Sequence, residues 1–299
     1  MRPISAWLTA RPWNGILGLA LTLLLPFAPL LSGAVMVLLM LAAGPQRALT
    51  VAVAAGAMLG VLFFAFGNPV VPLLVNAAGV WLPAALFGAV LGRTRSLTLT
   101  LQVSVILAIG ATLAFFVVLG DPTPFWTVQL EAVSTWFREA GLTQQADVLL
   151  EQRELIAPQM TMLFVFTTWS LWVLVLVLGY ALYQQLPERR GVFGRFCDLH
   201  FGRVLALTMA VASLTALVVS AAWLQNVAFV LFVVFWLQGL AFLHWLHAEG
   251  PLPVALLIGV YALLPFLNAL LVMLLAVLGY TDAWFDYRPR IAAARRAGK

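Results

Sequence analysis

Between Arg47 and Arg93 the chain runs for 45 residues without an Asp, Glu, Lys or Arg, and it does so again for 33 residues between Glu154 and Glu188 and 45 between Arg203 and Glu249. Helices of a soluble domain need a polar face, and runs of this kind cannot provide one. Lipid suits them, at about 20 apolar residues per crossing. The expected fold is all-α, a polytopic transmembrane helical bundle. A composition 64 % hydrophobic and 9 % charged agrees. At that span length, 299 residues hold roughly eight or nine crossings and no separate catalytic domain.

Turn chemistry divides the runs. Pro26 and Pro29 split residues 13–43 into two short spans expected to meet near Ser32-Gly33. Gly67-Asn68-Pro69 closes a third span and opens a fourth, which ends at Arg93-Thr94-Arg95; a fifth runs to Gly120. The sixth is Gln159–Leu186. Two more, hinged at Leu224-Gln225, lead into a last apolar run from Leu252 to Tyr280, where Pro265 suggests a broken hairpin. The first apolar run follows a basic start with no small-residue cleavage site, so it reads as a retained helix rather than a signal peptide.

Residues 121–158 are the one long polar stretch, with six acids and two bases. Trp126, Leu130, Val133 and Phe137 recur at helical spacing, and Leu142, Ala146, Leu149 and Ile156 form a second stripe after Gly141. Two amphipathic helices are expected there. The basic residues cluster at Arg2 and Arg11, Arg47, Arg93 with Arg95, and Arg189 to Arg203. The positive-inside rule then puts these loops and the N-terminus in the cytoplasm, and the acidic segment on the outer side of the membrane. A C-terminal tail bearing Arg288, Arg290, Arg295, Arg296 and Lys299 belongs inside by the same rule. The expected plan is a cytoplasmic N-terminus (1–12), a six-span module (13–186) with an external amphipathic segment (121–158), a basic loop (187–203), C-terminal spans (204–280) and an Arg-rich interfacial tail (281–299).

Chemistry is sparse. The net charge of +5 lies in short loops between apolar runs, where topology and lipid headgroups account for it and nucleic acid does not. A single cysteine, Cys197, forbids an internal disulfide. His244 and His247 share a helix face but have no further ligands nearby, so neither a metal nor any other cofactor is expected. Polar residues within the spans (Asn14, Asn76, Gln102, Gln238 and Asn268 among them) are uncharged, which argues against ion coupling and against an enzyme. Small residues at four-residue spacing, Ala52, Gly56 and Gly60, then Ala84, Gly88 and Gly92, are expected to be helix-packing faces.

The string Asp282-Ala283-Trp284-Phe285-Asp286-Tyr287-Arg288-Pro289-Arg290 suits a segment at the headgroup interface, with Trp284, Phe285, Arg288 and Arg290 touching lipid or a partner. Its Gly279, Asp282, Trp284, Phe285, Asp286 and Arg288, with the early Pro26-Phe27-Ala28-Pro29, resemble the YybS-like family of bacterial multi-pass membrane proteins. The first six spans of that family are in turn similar to the S components of energy-coupling-factor importers and, more remotely, to the cell-shape protein MreD. The resemblance implies an S-component-like six-span module that binds a small molecule and helps move it, leaving energy to a separate ATPase or membrane subunit. Polarity and side of the membrane, not the resemblance, place the expected ligand contacts under the external segment, at Asn68, Asn76 and Trp126. The MreD likeness implies the rival reading, a scaffold that recruits partners.

Overall fold

A computed structural model of the chain describes residues 4–187, 189, 191–249, 252–264 and 266–297, with the side chains of residues 268, 296 and 297 excepted. Pro265, where the sequence places a hairpin break, lies outside the described residues, as do Arg2, Glu188, Arg190 and Lys299. The described residues form helices joined by turns, with no strand among them. The protein is an all-α, membrane-embedded helical bundle. Among the described residues, six helical segments are long and apolar enough to cross a bilayer, or seven if one pair bent by 73° counts as a span.

The chain falls into two units, Met1–Ser104 with Trp169–Phe196, and Val105–Thr168 with Cys197–Lys299. The first unit opens with α1 (Ile4–Ala10), α2 (Pro12–Leu23) and α3 (Ala28–Ala43). The early break therefore falls at residues 24–27, not near Ser32-Gly33. Phe27 takes a left-handed φ of 62° and Pro29 sits in the first turn of α3, so both prolines lie where a missing N–H costs least. At 1.5 Å per residue, α2 and α3 reach only about 18 and 24 Å, short of the ~30 Å hydrocarbon core. The expected eight or nine full crossings shrink accordingly.

Then come α4 (Pro45–Ala65) and α5 (Val70–Thr94), joined through Gly67 at φ 70° as the Gly-Asn-Pro signal requires. Next is α6 (Leu97–Leu119). Ser32, fully buried, donates to the Leu19 carbonyl at 3.1 Å and accepts from the Trp81 indole at 2.8 Å, tying α2, α3 and α5 together. In lipid such bonds and close backbone contact supply what the hydrophobic effect cannot. Gly88 and Gly179 supply the contact: a Cβ on either would press to 2.8 Å of Met40 or 2.4 Å of Val37 on α3.

The polar stretch forms α7 (Thr123–Glu139), α8 (Thr143–Glu151) and α9 (Arg153–Ile156), with a turn at Gly141. Ion pairs Arg138–Asp147 at 2.8 Å and Arg153–Glu131 at 3.2 Å link α7 to α8 and α9. Asp121 accepts the Thr123 N–H at 3.0 Å, and that bond holds its carboxyl below the usual carboxylate range. The charge so kept suits the positive end of α7.

After α10 (Met160–Gln184) come α11 (Gly202–Val219), α12 (Ala222–Val233), α13 (Phe235–Ala248), α14 (Val254–Leu263), α15 (Asn268–Phe285) and α16 (Tyr287–Ala297). The hinge expected at Leu224-Gln225 lies instead at Ser220-Ala221, where Ser220 caps α11 in the left-handed region at φ 53°. The last apolar run is interrupted between Leu263 and Asn268, leaving α14 with 10 residues, about 15 Å. Helix α15 continues through Phe285, and this puts Asp282 inside a helix.

Candidate functional site

The three residues expected to hold a ligand are divided between the two units. Asn68 and Asn76 are exposed in the first unit, at the α4–α5 turn and on α5, while Trp126 belongs to the second. Its side chain is only 6 % exposed, stacks on Phe115 at 5.6 Å and donates its indole N–H to Thr161 at 2.7 Å. Phe125 and Phe164 close around it at 5.1 and 5.4 Å. Trp126 is thus the anchor of α7 on α10 rather than the mouth of a pocket. A shallow cavity of about 400 Å³ in the acidic segment is walled by Phe137, Gln145, Leu149 and Ile156 instead. Trp126→Phe should keep the aromatic packing, lose one buried hydrogen bond, and cost about 1 kcal/mol in a denaturation titration.

The tail residues separate in the same way. Phe285 and Arg290 are exposed and Trp284 is half-buried against Tyr280. Arg288 is turned inward, correcting the expectation that it faces lipid or a partner. Its guanidinium donates to the carbonyls of Cys197 and Leu199, both at 2.8 Å, and lies 3.3 Å from Asp282. Asp282, with no exposure, also accepts from Gln238 at 3.0 Å, and Gln238 accepts the Phe201 N–H at 2.7 Å. A charged residue does therefore stand inside a membrane-unit helix, contrary to the sequence reading. Its partners make it a clasp joining the 197–201 loop, α13, α15 and α16. Asp286, in turn, caps α15 at φ 47° and pairs with Arg203 at 2.8 Å.

The histidines take separate partners: His244 meets the Tyr261 hydroxyl at 2.8 Å and His247 the Leu252 carbonyl at 3.1 Å. Among the described residues no cluster of three His, Cys, Asp or Glu side chains gathers.

The site with the geometry of a binding site lies in the first unit. A cavity of about 430 Å³ opens where α3 ends, α4 begins and α5 ends, and residues after α10 complete its wall. That volume is within the range of small-molecule sites. Its floor is aromatic: Tyr183 and Phe193, both buried, stack nearly parallel with centroids 5.6 Å apart. The floor is fixed from behind, because Tyr180 accepts the Phe193 N–H at 3.0 Å and donates to the Gly194 carbonyl at 2.9 Å. Phe193 in turn accepts the Leu97 N–H at 2.8 Å, binding this loop to the start of α6.

Around the floor stand Arg93, Arg95 and Arg189, all exposed, with no carboxylate among the described lining residues. The Arg189 guanidinium lies 5.7 Å from the Tyr183 ring centre, a cation–π distance. Arg95 caps α5 in the left-handed region at φ 53°, a conformation that costs a non-glycine residue about 1–2 kcal/mol. Gly92 keeps the α5 side open, since a Cβ there would meet only Leu41, at 3.8 Å. Planar, permanently charged guanidiniums lining a space with an aromatic floor can receive an anionic group, and phosphate and carboxylate are the groups Arg binds in bidentate fashion.

Sequence reasoning read Arg93, Arg95 and Arg189 as topology signals only. The available hint was that each lies next to a span end rich in glycine or aromatics. No family model, no curated protein and no solved structure matches the chain.

Proposed function

We propose that the protein is a non-enzymatic binding protein of a bacterial inner membrane that takes up a small anionic molecule in the Arg93–Arg95–Arg189 cavity and helps move it without an energy source of its own. The observation that carries this is the cavity itself: about 430 Å³, three guanidiniums, a fixed aromatic floor and no acid among its described lining residues. By the positive-inside rule the cavity faces the cytoplasm, with the N-terminus on the same side. The resemblance to YybS-like proteins and to S components supports the reading, and would assign the work of transport to a separate ATPase or membrane subunit. The rival, a scaffold of the MreD kind, is favoured by one observation, an apolar groove along α4 and α5 that a partner helix could enter.

Untargeted mass spectrometry of small molecules co-purifying with the nanodisc-isolated protein tests the proposal. Wild type should carry an anionic molecule that Arg93→Ala/Arg189→Ala loses, because each missing charge-assisted hydrogen bond costs about 1.5–3 kcal/mol, tenfold or more in affinity. Equal recovery from both proteins sinks it. Arg95→Gly should separate structure from binding. Relief of the left-handed strain should stabilise the protein by about 1 kcal/mol in a thermal melt, while anion binding weakens. An Arg95→Gly protein that binds as tightly as wild type would remove Arg95 from the site.

A further inference from the structure

Resting on that binding reading, we infer that the arginine cavity and the α4–α5 groove are one site, built for an anionic phospholipid drawn from the surrounding leaflet. The groove has a volume of about 580 Å³ and apolar walls. Its α4 wall includes Leu49, Ala52, Gly56 and Gly60, and Pro45, one helical turn before Leu49, lines the arginine cavity. Steps of three and four residues keep all five on one face. Helix α5 repeats the arrangement, with Leu74, Ala78 and Trp81 in the groove and Gly88 and Gly92 in the cavity. The two spaces follow the same pair of helix faces end to end, apolar first and cationic last.

Side-chain size creates the groove. At Gly56 an added Cβ would meet only the Trp81 ring and Leu74, at 3.6 and 3.8 Å, so the glycine opens space instead of sealing a contact. Trp81 sends its N–H away to Ser32 at 2.8 Å, leaving the groove its ring as an apolar wall. From Leu49 to Val61 the groove runs about 18 Å at 1.5 Å per residue, against about 15 Å for half of the ~30 Å hydrocarbon core. An acyl chain in one leaflet matches that reach. A head bearing phosphate then falls among Arg93, Arg95 and Arg189, as basic pockets between spans hold anionic headgroups. Charge complementarity at one end singles out this occupant: three guanidiniums meet no acid among the described lining residues, and an anionic headgroup supplies the charge that an apolar partner helix or a zwitterionic lipid lacks.

Native mass spectrometry of the detergent-purified full chain, titrated with phosphatidylglycerol, phosphatidylcholine or inorganic phosphate, tests the inference. Wild type should retain phosphatidylglycerol at least tenfold more than phosphatidylcholine. Arg93→Ala/Arg189→Ala should abolish the preference. Gly56→Leu/Gly60→Leu, which fills the groove, should lose the lipid tenfold or more yet keep its affinity for inorganic phosphate. Ala57→Leu, at an exposed groove position, is the second filling variant if the first fails to fold. Undiminished lipid binding by a folded filling variant overturns the inference and leaves the anion site standing. Inorganic phosphate bound by wild type with no lipid preference, a soluble-anion site only, does the same. Loss of a wild-type dimer in the filling variant would assign the groove to a second copy and overturn it too. Failure of wild type to hold either phosphate or lipid would sink both the inference and the proposed function.

Discussion

Asp282→Ala is expected to destabilise the second unit by about 3–5 kcal/mol, the usual consequence of removing one partner from a buried charge pair. The carboxylate has no exposure, accepts from Gln238 at 3.0 Å and faces Arg288 at 3.3 Å. Without it the Arg288 guanidinium, whose side chain is 11 % exposed, loses the carboxylate 3.3 Å away. The Gln238 amide loses its acceptor as well, which loosens its hold on the Phe201 N–H. A double-mutant cycle with Arg288→Leu should show coupling of about 1–3 kcal/mol, since each single change strands the other group. Unfolding titration of the purified protein in mixed detergent measures both quantities. Additive effects would mean that the two side chains stabilise the fold separately and that the clasp is not a unit.

Gly279→Ala should be nearly as damaging, at about 3 kcal/mol, although elsewhere the same change helps a helix. In a helix interior, alanine is favoured over glycine by about 1 kcal/mol. At Gly279 an added Cβ would come to 2.1 Å from the Phe235 carbonyl oxygen and 2.6 Å from the Gly239 nitrogen. Gly239 opposes it, with a Cβ there reaching 2.0 Å from the Leu275 carbonyl oxygen. These are backbone atoms and cannot rotate aside, so α13 and α15 must part along their length and the cost lies at the upper end of overpacking. Gly110→Ala, where a Cβ meets nothing within 4 Å, serves as the control and should be neutral or stabilising. A melting temperature for Gly279→Ala equal to that of the control would refute the close approach of the two helices.

These two variants also show what the Gly279–Arg288 string is for. Read along the chain, its aromatics and charges suit a surface segment, and Phe285 and Arg290 are indeed exposed. Gly279 and Asp282 nevertheless fall three residues apart on α15, so both face inward, and the turn at Asp286 swings Arg288 back toward them. Helical spacing made the inward pair legible in principle. The partners at Gln238 and at the Cys197 and Leu199 carbonyls, 44 and about 90 positions away, were not, because only packing brings them near. The small-residue stripes divide likewise. Gly88 seals a contact with Met40, whereas Gly56 and Gly60 border open space, and no spacing rule separates a filled face from an empty one.

Patterns that concern one helix and its solvent were decided by the sequence alone: the charge-free runs that require lipid, the Gly67-Asn68-Pro69 turn, and the amphipathic helices on either side of Gly141. Each depends on local backbone chemistry or on the transfer of side chains from water, which act residue by residue. The breaks at Phe27 and Ser220 instead lie where a non-glycine residue takes the left-handed region, which no proline or polar residue in the sequence marks to the residue. The cavity is the furthest from the sequence. Its three arginines come from the end of α5 and the residues after α10, and its floor from Tyr183 and Phe193. Tertiary structure alone brings these charges together around one space, because long-range packing sets the distances between them.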